Sequence, residues 1–190
     1  MKLNLGCGYN KIPGFVNVDK APQCNPDVAF DIEEPNWPWE NDSVSDAVFN
    51  HSLEHMGQQS KVFLRIIQEL YRVCADKAVV RINVPHPRHD NFIDDPTHVR
   101  IITPGVMSLF DRKQNLEWIR TKAVNTPLSM YLDVDFYMQE MTAILPAHYH
   151  TQLQSGKITN DEIMAITTER NNVVEEYRMV LIARKPPFKG

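Results

Sequence analysis

The stretch "NVPHPRHDNFIDDPTHVR" gathers His86, Arg88, His89, Asp90, Asp94, Asp95, His98 and Arg100, and no other part of the chain is so dense in titratable groups. An imidazole with an ordinary pKa near about 6.5 is largely neutral at pH 7, so His86 or His98 could accept a proton from a reacting group. Asp94 or Asp95 could orient such a ring through its other nitrogen. The same spacing would permit a metal site from His86, His89, Asp90 and His98, but ligands on a loop without a supporting helix or strand are poorly fixed, and no metal is expected. For any one of these residues the plain alternative is a solvated polar loop, since Asp95-Pro96 is an ordinary turn opening.

The elements that must carry this loop are legible from periodicity. Short β-type runs occur at Lys2–Leu5, Phe15–Asp19, Val28–Ile32, Asp46–Asn50 and Ala78–Val84. Between the last two, Val62, Phe63, Ile66, Ile67, Leu70 and Val73 recur at steps of three and four over Gln58–Cys74, which predicts an amphipathic helix. A second helix should start at Thr103-Pro104, with Thr as N-cap and Pro in the first turn, and run to about Arg112. Farther on, Leu132–Gln139 and Glu176–Arg184 read as strands. The order predicts an α/β fold: one Rossmann-like domain over 1–190, its central sheet mostly parallel, with an antiparallel C-terminal strand pair.

In an open α/β sheet, ligands sit beyond the carboxyl ends of the strands. Gly6-Cys7-Gly8 follows the first run and lets the backbone approach a ligand. The dinucleotide fingerprint would need a third glycine where Lys11 stands, so a pyrophosphate is not the expected ligand. Asp19 follows the second run at a distance suited to a carboxylate that accepts ribose hydroxyls, or simply caps a turn there. Asp31-Ile32 and Asn50-His51 follow the third and fourth. Four such exits in series favour a nucleoside site.

The segments "LNLGCG", "VNVD", "DIEEPNWPWENDSVSDAVFNHSLEHM" and "VVRINVP", in that order over residues 2 to about 85, resemble the class I S-adenosylmethionine (SAM) dependent methyltransferases. The resemblance implies SAM as cofactor. It would pack Gly6, Cys7 and Gly8 against the methionine part, Asp19 against the ribose hydroxyls and Asp31 with Ile32 against adenine. Asn50 and His51 would line the methyl group, and Asn4 stands where the family often carries an acid directed at the cofactor's amino group. Glu54 and His55 look like helix-start and packing residues. Residues 1–85 would then form the cofactor-binding half, and 86–190 an acceptor loop, helices and closing strands. The connection from Gly8 to Phe15 is too short for a full crossover helix and should keep about one turn. "DPTHVR" resembles segments in methyltransferases attached to surface-saccharide pathways.

The expected reaction is methyl transfer to a small-molecule or saccharide hydroxyl, with His86 or His98 as base and His51 positioned near the methyl. N-methylation of a protein or small amine is the alternative within the class, and a non-catalytic SAM-binding or assembly module is the alternative outside it. The place after the fourth run holds Asn50-His51-Ser52-Leu53 rather than the Asn/Asp-Pro-Pro-aromatic string of base-methylating relatives. With a net charge of −4, no nucleic-acid partner is expected. Three scattered cysteines among 190 residues suggest a reducing compartment, and no apolar run reaches the length of a membrane span. A cytoplasmic location is expected. Because the first strand pattern begins at Lys2, cover for the cofactor is expected from His86–Arg100, from Pro146–Asn160, or from another copy in a homo-oligomer. Trp37 and Trp39 should cover a core edge, and Met130, Met138, Met141, Met164 and Met179 should fill the core.

Overall fold

The structure is a computed structural model, described for residues 1–189. Seven strands form one sheet in the order β3-β2-β1-β4-β5-β7-β6, where β1 is Lys2–Leu5, β2 Val16–Asp19, β3 Val28–Ala29, β4 Val44–Asn50, β5 Cys74–Pro85, β6 Phe136–Ile144 and β7 Glu176–Ala183. The first five pair in parallel, and β7 runs antiparallel to both β5 and β6. Helix α1, Ser60–Val73, buries Phe63, Ile66, Ile67, Leu70, Tyr71 and Val73. These pack in one core with Leu3, Leu5, Val18, Phe49, Val80, Ile82 and Met179 from the sheet. Among the described residues no helix is long and apolar enough to cross a membrane.

Local chemistry explains where boundaries differ from the periodic reading. The third strand stops at Ala29, because the Asp31 carboxylate accepts the Glu33 N–H at 3.0 Å and its carbonyl accepts that of Glu34 at 2.9 Å, forming a turn. The Thr103 cap is present, its Oγ1 accepting the Val106 N–H at 3.1 Å, but α3 is only Pro104–Ser108. Asp111 opens a second helix, α4 (Arg112–Thr121), by accepting the Lys113 and Gln114 N–H groups. The sixth strand begins at Phe136 rather than Leu132, since Leu128–Leu132 is a short helix closed by Asp133 in the left-handed region. Trp37 and Trp39 are buried edge to face, with centroids 5.7 Å apart, and Met141 and Met164 are exposed rather than core.

The connection from β1 to β2, residues 6–15, contains turns and no helix. Side chains hold it instead. Asn17 Oδ1 accepts from Asn4 Nδ2 at 2.9 Å and from the Ile12 N–H at 2.8 Å, while Asn17 Nδ2 donates to Asp27 at 2.7 Å. Asn4 Nδ2 also donates to the Asn10 carbonyl at 2.9 Å. Hydrogen bonds from Asn17, and then Lys11, hold the Asp27 carboxyl below the usual range. On the sheet face opposite α1, Lys2 and Arg81 both pair with Asp46, at 3.6 and 3.1 Å.

Candidate cofactor cleft

A cleft of about 460 Å³ opens at the carboxyl ends of β1, β2 and β4, a volume within the range of small-molecule sites. Gly6, Gly8, Asp19, Asp31, Ile32 and His51 line it, so six of the sequence-derived candidates converge there. Gly6 has φ +70°, and a Cβ on it would stand 2.6 Å from the Ser52 Cβ. Ser52 in turn donates to the Leu5 carbonyl at 2.7 Å, which locks the two strand exits together. Gly8 has φ +49° with open space where a Cβ would point. The Gly6 and Cys7 N–H groups both donate to the Val18 carbonyl at 2.9 Å.

Asp19 is fixed by the same turn. One oxygen accepts the Gly8 N–H at 2.7 Å and the other the Ala21 N–H at 2.9 Å. Each oxygen keeps a lone pair for a hydroxyl donor. Asp31 lies 3.6 Å from the Lys20 ammonium, beside Phe30 and the buried Ile32. That gives an apolar wall with a polar rim at this end of the cleft.

Several candidates lie elsewhere. Asn4 is buried beneath the turn and spent on the network described above. Cys7 is buried, and burial, with Asp19 adding, pushes its thiol up. Asn50 accepts from Asn83 Nδ2 at 2.9 Å and lines a groove with Lys2, Phe15 and Arg81, away from the cleft. His86 packs at a tilt against Tyr177, with centroids 4.9 Å apart, and its Nδ1 accepts the Arg88 N–H at 3.1 Å. Burial, then Arg88 and His89, lower its pKa. His98 is packed behind the wall between Phe92 and His55, its Nδ1 facing the Phe92 carbonyl at 2.9 Å. Neither His86 nor His98 lines the cleft.

His51 does line it, in the left-handed region at φ +50°. Its Nε2 lies 2.8 Å from Glu176 and its Nδ1 3.7 Å from Glu54. Glu54 is the chief cause of a raised pKa, burial opposes it, and Glu176 adds to the rise. An imidazole held between two carboxylates stays protonated longer, which suits it to positioning rather than to accepting a proton.

Ser52, His55, Met56 and Thr97 complete the wall; the sequence reading gives His55 a packing role and the other three no place in the site. The signal for the first three was present: they belong to the turn that follows β4, with Leu53–His55 as a single 3-10 turn. Thr97 comes from the His-rich loop. That loop is held down by the Val99 and Arg100 N–H groups, both donating to the Glu54 carbonyl at 3.0 Å, and by the Arg100 guanidinium on the Gly57 carbonyl. Pro146–Asn160 contributes nothing to the cleft lining. Its neighbour α7, Asn160–Glu169, instead receives Arg88, which donates to the Thr167 carbonyl at 2.9 Å.

No protein-family model and no curated protein matches this sequence. Solved structures do. A SAM-dependent methyltransferase from Archaeoglobus fulgidus matches with a TM-score of 0.62 at 16% identity, over 95% of this chain and 84% of that one. A SAM-dependent methyltransferase from Thermotoga maritima, described as a possible histamine N-methyltransferase, matches at 0.54 and 10% identity, over 97% and 82%. The cyclase SpnF matches at 0.50 and 14%, over 98% and 75%. The fold is that of the class I SAM-dependent methyltransferases. At these identities the likeness establishes the fold, and chemistry has to be argued from the site.

Proposed function

We propose that this protein binds SAM in the cleft and transfers its methyl group to a hydroxyl of a small or saccharide acceptor. The convergence of Gly6, Gly8, Asp19, Asp31 and Ile32 on one cleft carries the cofactor half of this reading. Asp19 would accept the ribose hydroxyls while bridging the glycine turn, Phe30 and Ile32 would flank the adenine, and Gly6 with Gly8 would admit the amino-acid end. When bound, SAM would supply a methyl group for in-line transfer, with the thioether as leaving group. The chain's task is then alignment and exclusion of water.

The acceptor half rests on His55. Thr97 gives its single hydroxyl hydrogen to Asp95 at 2.6 Å, so it accepts from His55 Nδ1 at 2.9 Å. Nδ1 therefore carries the hydrogen of the neutral ring and Nε2 keeps its lone pair. A hydroxyl acceptor must lose a proton as its oxygen bonds to the methyl carbon and the C–S bond breaks, leaving the thioether, and such a lone pair suits that loss. An amine already in its neutral form attacks with its own lone pair and needs no such group. We therefore read His55, rather than His86 or His98, as the proton acceptor.

Calorimetric titration with S-adenosylhomocysteine, followed by turnover of SAM over matched panels of hydroxyl and amine acceptors, tests the proposal. One equivalent bound and methylation confined to hydroxyl compounds is the expected result. No binding would support the non-catalytic module, and methylated amines would move the chemistry to nitrogen.

A further inference from the structure

We propose that Glu54, His55 and His98 form a site for one divalent transition-metal ion at the wall of the cleft. One ligating atom from each lies within 4.8 Å of those of the other two. Glu54 is 1% exposed, and neither of its carboxylate oxygens has a hydrogen-bond partner among the described residues. A buried carboxylate without a donor is costly. The His51 ring at 3.7 Å forms an ion pair with it that is too long for a hydrogen bond and is shared with Glu176, so both oxygens still lack a donor.

The two imidazoles present the same deficit. His55 gives its Nδ1 hydrogen to Thr97, as argued above. His98 Nδ1 faces the Phe92 carbonyl at 2.9 Å, and a carbonyl only accepts, so that nitrogen also carries the hydrogen. In its neutral form each ring thus leaves Nε2 without a hydrogen, and that of His98 has the Asp95 carboxylate 3.8 Å away. The ring centroids are 4.6 Å apart, and the side chain of His98 is 8% exposed. Two unprotonated nitrogens and a carboxylate this close repel one another until a proton or a metal cation sits between them.

The anchors are those a metal site requires, since an oxygen on the second nitrogen fixes the tautomer and orients the ring. Bonds of about 2.0–2.2 Å to a four-coordinate ion would place the ligand atoms about 3.3–3.5 Å apart. Side-chain movements of about 1 Å would therefore close the cluster. Two imidazoles and one carboxylate suit zinc, cobalt, manganese or ferrous iron rather than calcium or magnesium. His55 and Thr97 line the cleft, so a remaining coordination position would face the acceptor. With an ion there, His55 Nε2 would be a ligand and no longer free to take the proton, and the Lewis acidity of the cation would ease the loss of that proton instead. That catalytic meaning rests on the proposed function; the existence of the site does not.

Titration of the metal-free full-length chain with cobalt chloride, without SAM or its product, tests the site through the visible absorption of bound cobalt, with zinc chloride as competitor. One saturable equivalent is expected, displaced by zinc and weakened at least about tenfold in both Glu54→Gln and His98→Ala. A His148→Ala/His150→Ala control should bind as the parent does. Metal-free melting curves check that each variant folds; if Glu54→Gln does not, His98→Ala decides alone. Absence of a one-equivalent phase, or binding that survives His98→Ala, overturns the site. Calorimetry with S-adenosylhomocysteine in a chelator is a separate measurement, so loss of nucleoside binding with retained cobalt binding would sink the proposed function and leave the metal site standing.

Discussion

The Asp19 carboxylate accepts the Gly8 N–H at 2.7 Å, so the residue proposed to hold a ribose also shapes the turn beside it. Asp19→Ala removes both roles. Loss of a charge-assisted hydrogen bond costs about 1.5–3 kcal/mol, or roughly ten- to a hundred-fold in affinity for S-adenosylhomocysteine by calorimetry. Asp19→Asn keeps an acceptor oxygen and should fall between. An unchanged affinity in Asp19→Ala would place the ribose elsewhere.

The two glycines of the turn should separate folding from binding. At Gly6 a Cβ meets the Ser52 Cβ at 2.6 Å, so Gly6→Ala must shift the β1 and β4 exits and lower the melting temperature. Gly6→Val would confound binding with stability for that reason. At Gly8 the Cβ meets nothing within 4 Å, and Gly8→Ala carries only the left-handed strain of about 1–2 kcal/mol. Its melting curve should shift little while affinity for S-adenosylhomocysteine drops. Equal behaviour of the two variants in both assays would contradict this assignment.

The cleft's inner lining was legible because Gly, Asp or His at a strand's carboxyl end is a local pattern: Gly6 and His51 come one residue after β1 and β4, Asp19 ends β2, and Asp31 lies two residues past β3. Asn50 and His51 are adjacent, yet the alternation of a strand sends Asn50 to the opposite face, where Asn83 holds it. Periodicity alone could have said so. What it could not supply is the meeting of Thr97 with the Glu54-His55 turn, which the Val99 and Arg100 N–H groups bring about by folding back on the Glu54 carbonyl. The helix-free connection was half legible: its length excluded a full helix, but the asparagine network replacing that helix required residues 4, 17 and 27 to be seen together.

That network predicts a stability effect. Asn17 is 5% exposed and bonds with Asn4, the Ile12 N–H and Asp27. Asn17→Ala leaves those partners unpaired, which should cost about 2–4 kcal/mol and roughly 5–15 °C in melting temperature. Asn17→Asp keeps the acceptor but meets the Asp27 carboxylate, and should lose stability as well. A melting temperature unmoved by Asn17→Ala would mean that water satisfies the loop as well as Asn17 does.

His86 supplies a pH dependence with a definite sign. Burial first, then Arg88 and His89, lower its folded pKa below the ordinary value of 6.5. Between the folded pKa and 6.5 the unfolded chain binds more protons, so stability rises with pH through that window. The contribution is complete above 6.5 and is lost as pH falls toward the folded pKa, where protonation would also end acceptance of the Arg88 N–H by Nδ1. Urea midpoints between pH 5 and 7.5 should fall on acidification in the parent and fall less steeply in His86→Asn. Parallel profiles would assign the dependence to other groups.

The cover over the cleft can be located by hydrogen exchange. Thr97 is the one residue of the His-rich loop in the lining, and the neighbouring Val99 and Arg100 amides hold that loop to Glu54 at 3.0 Å each. Addition of S-adenosylhomocysteine should therefore slow exchange over about residues 97–100, because opening this segment would expose the ligand as well as the Glu54 carbonyl. Helix α6, Ala147–Gln154, lines none of the cleft and should exchange at the same rate with and without ligand. Protection of α6 would mean that the insertion between β6 and β7 swings over the site on binding. Protection confined to the glycine turn and Asp19 would leave the cleft uncovered by this chain, and the acceptor or a second copy would then have to exclude water during transfer.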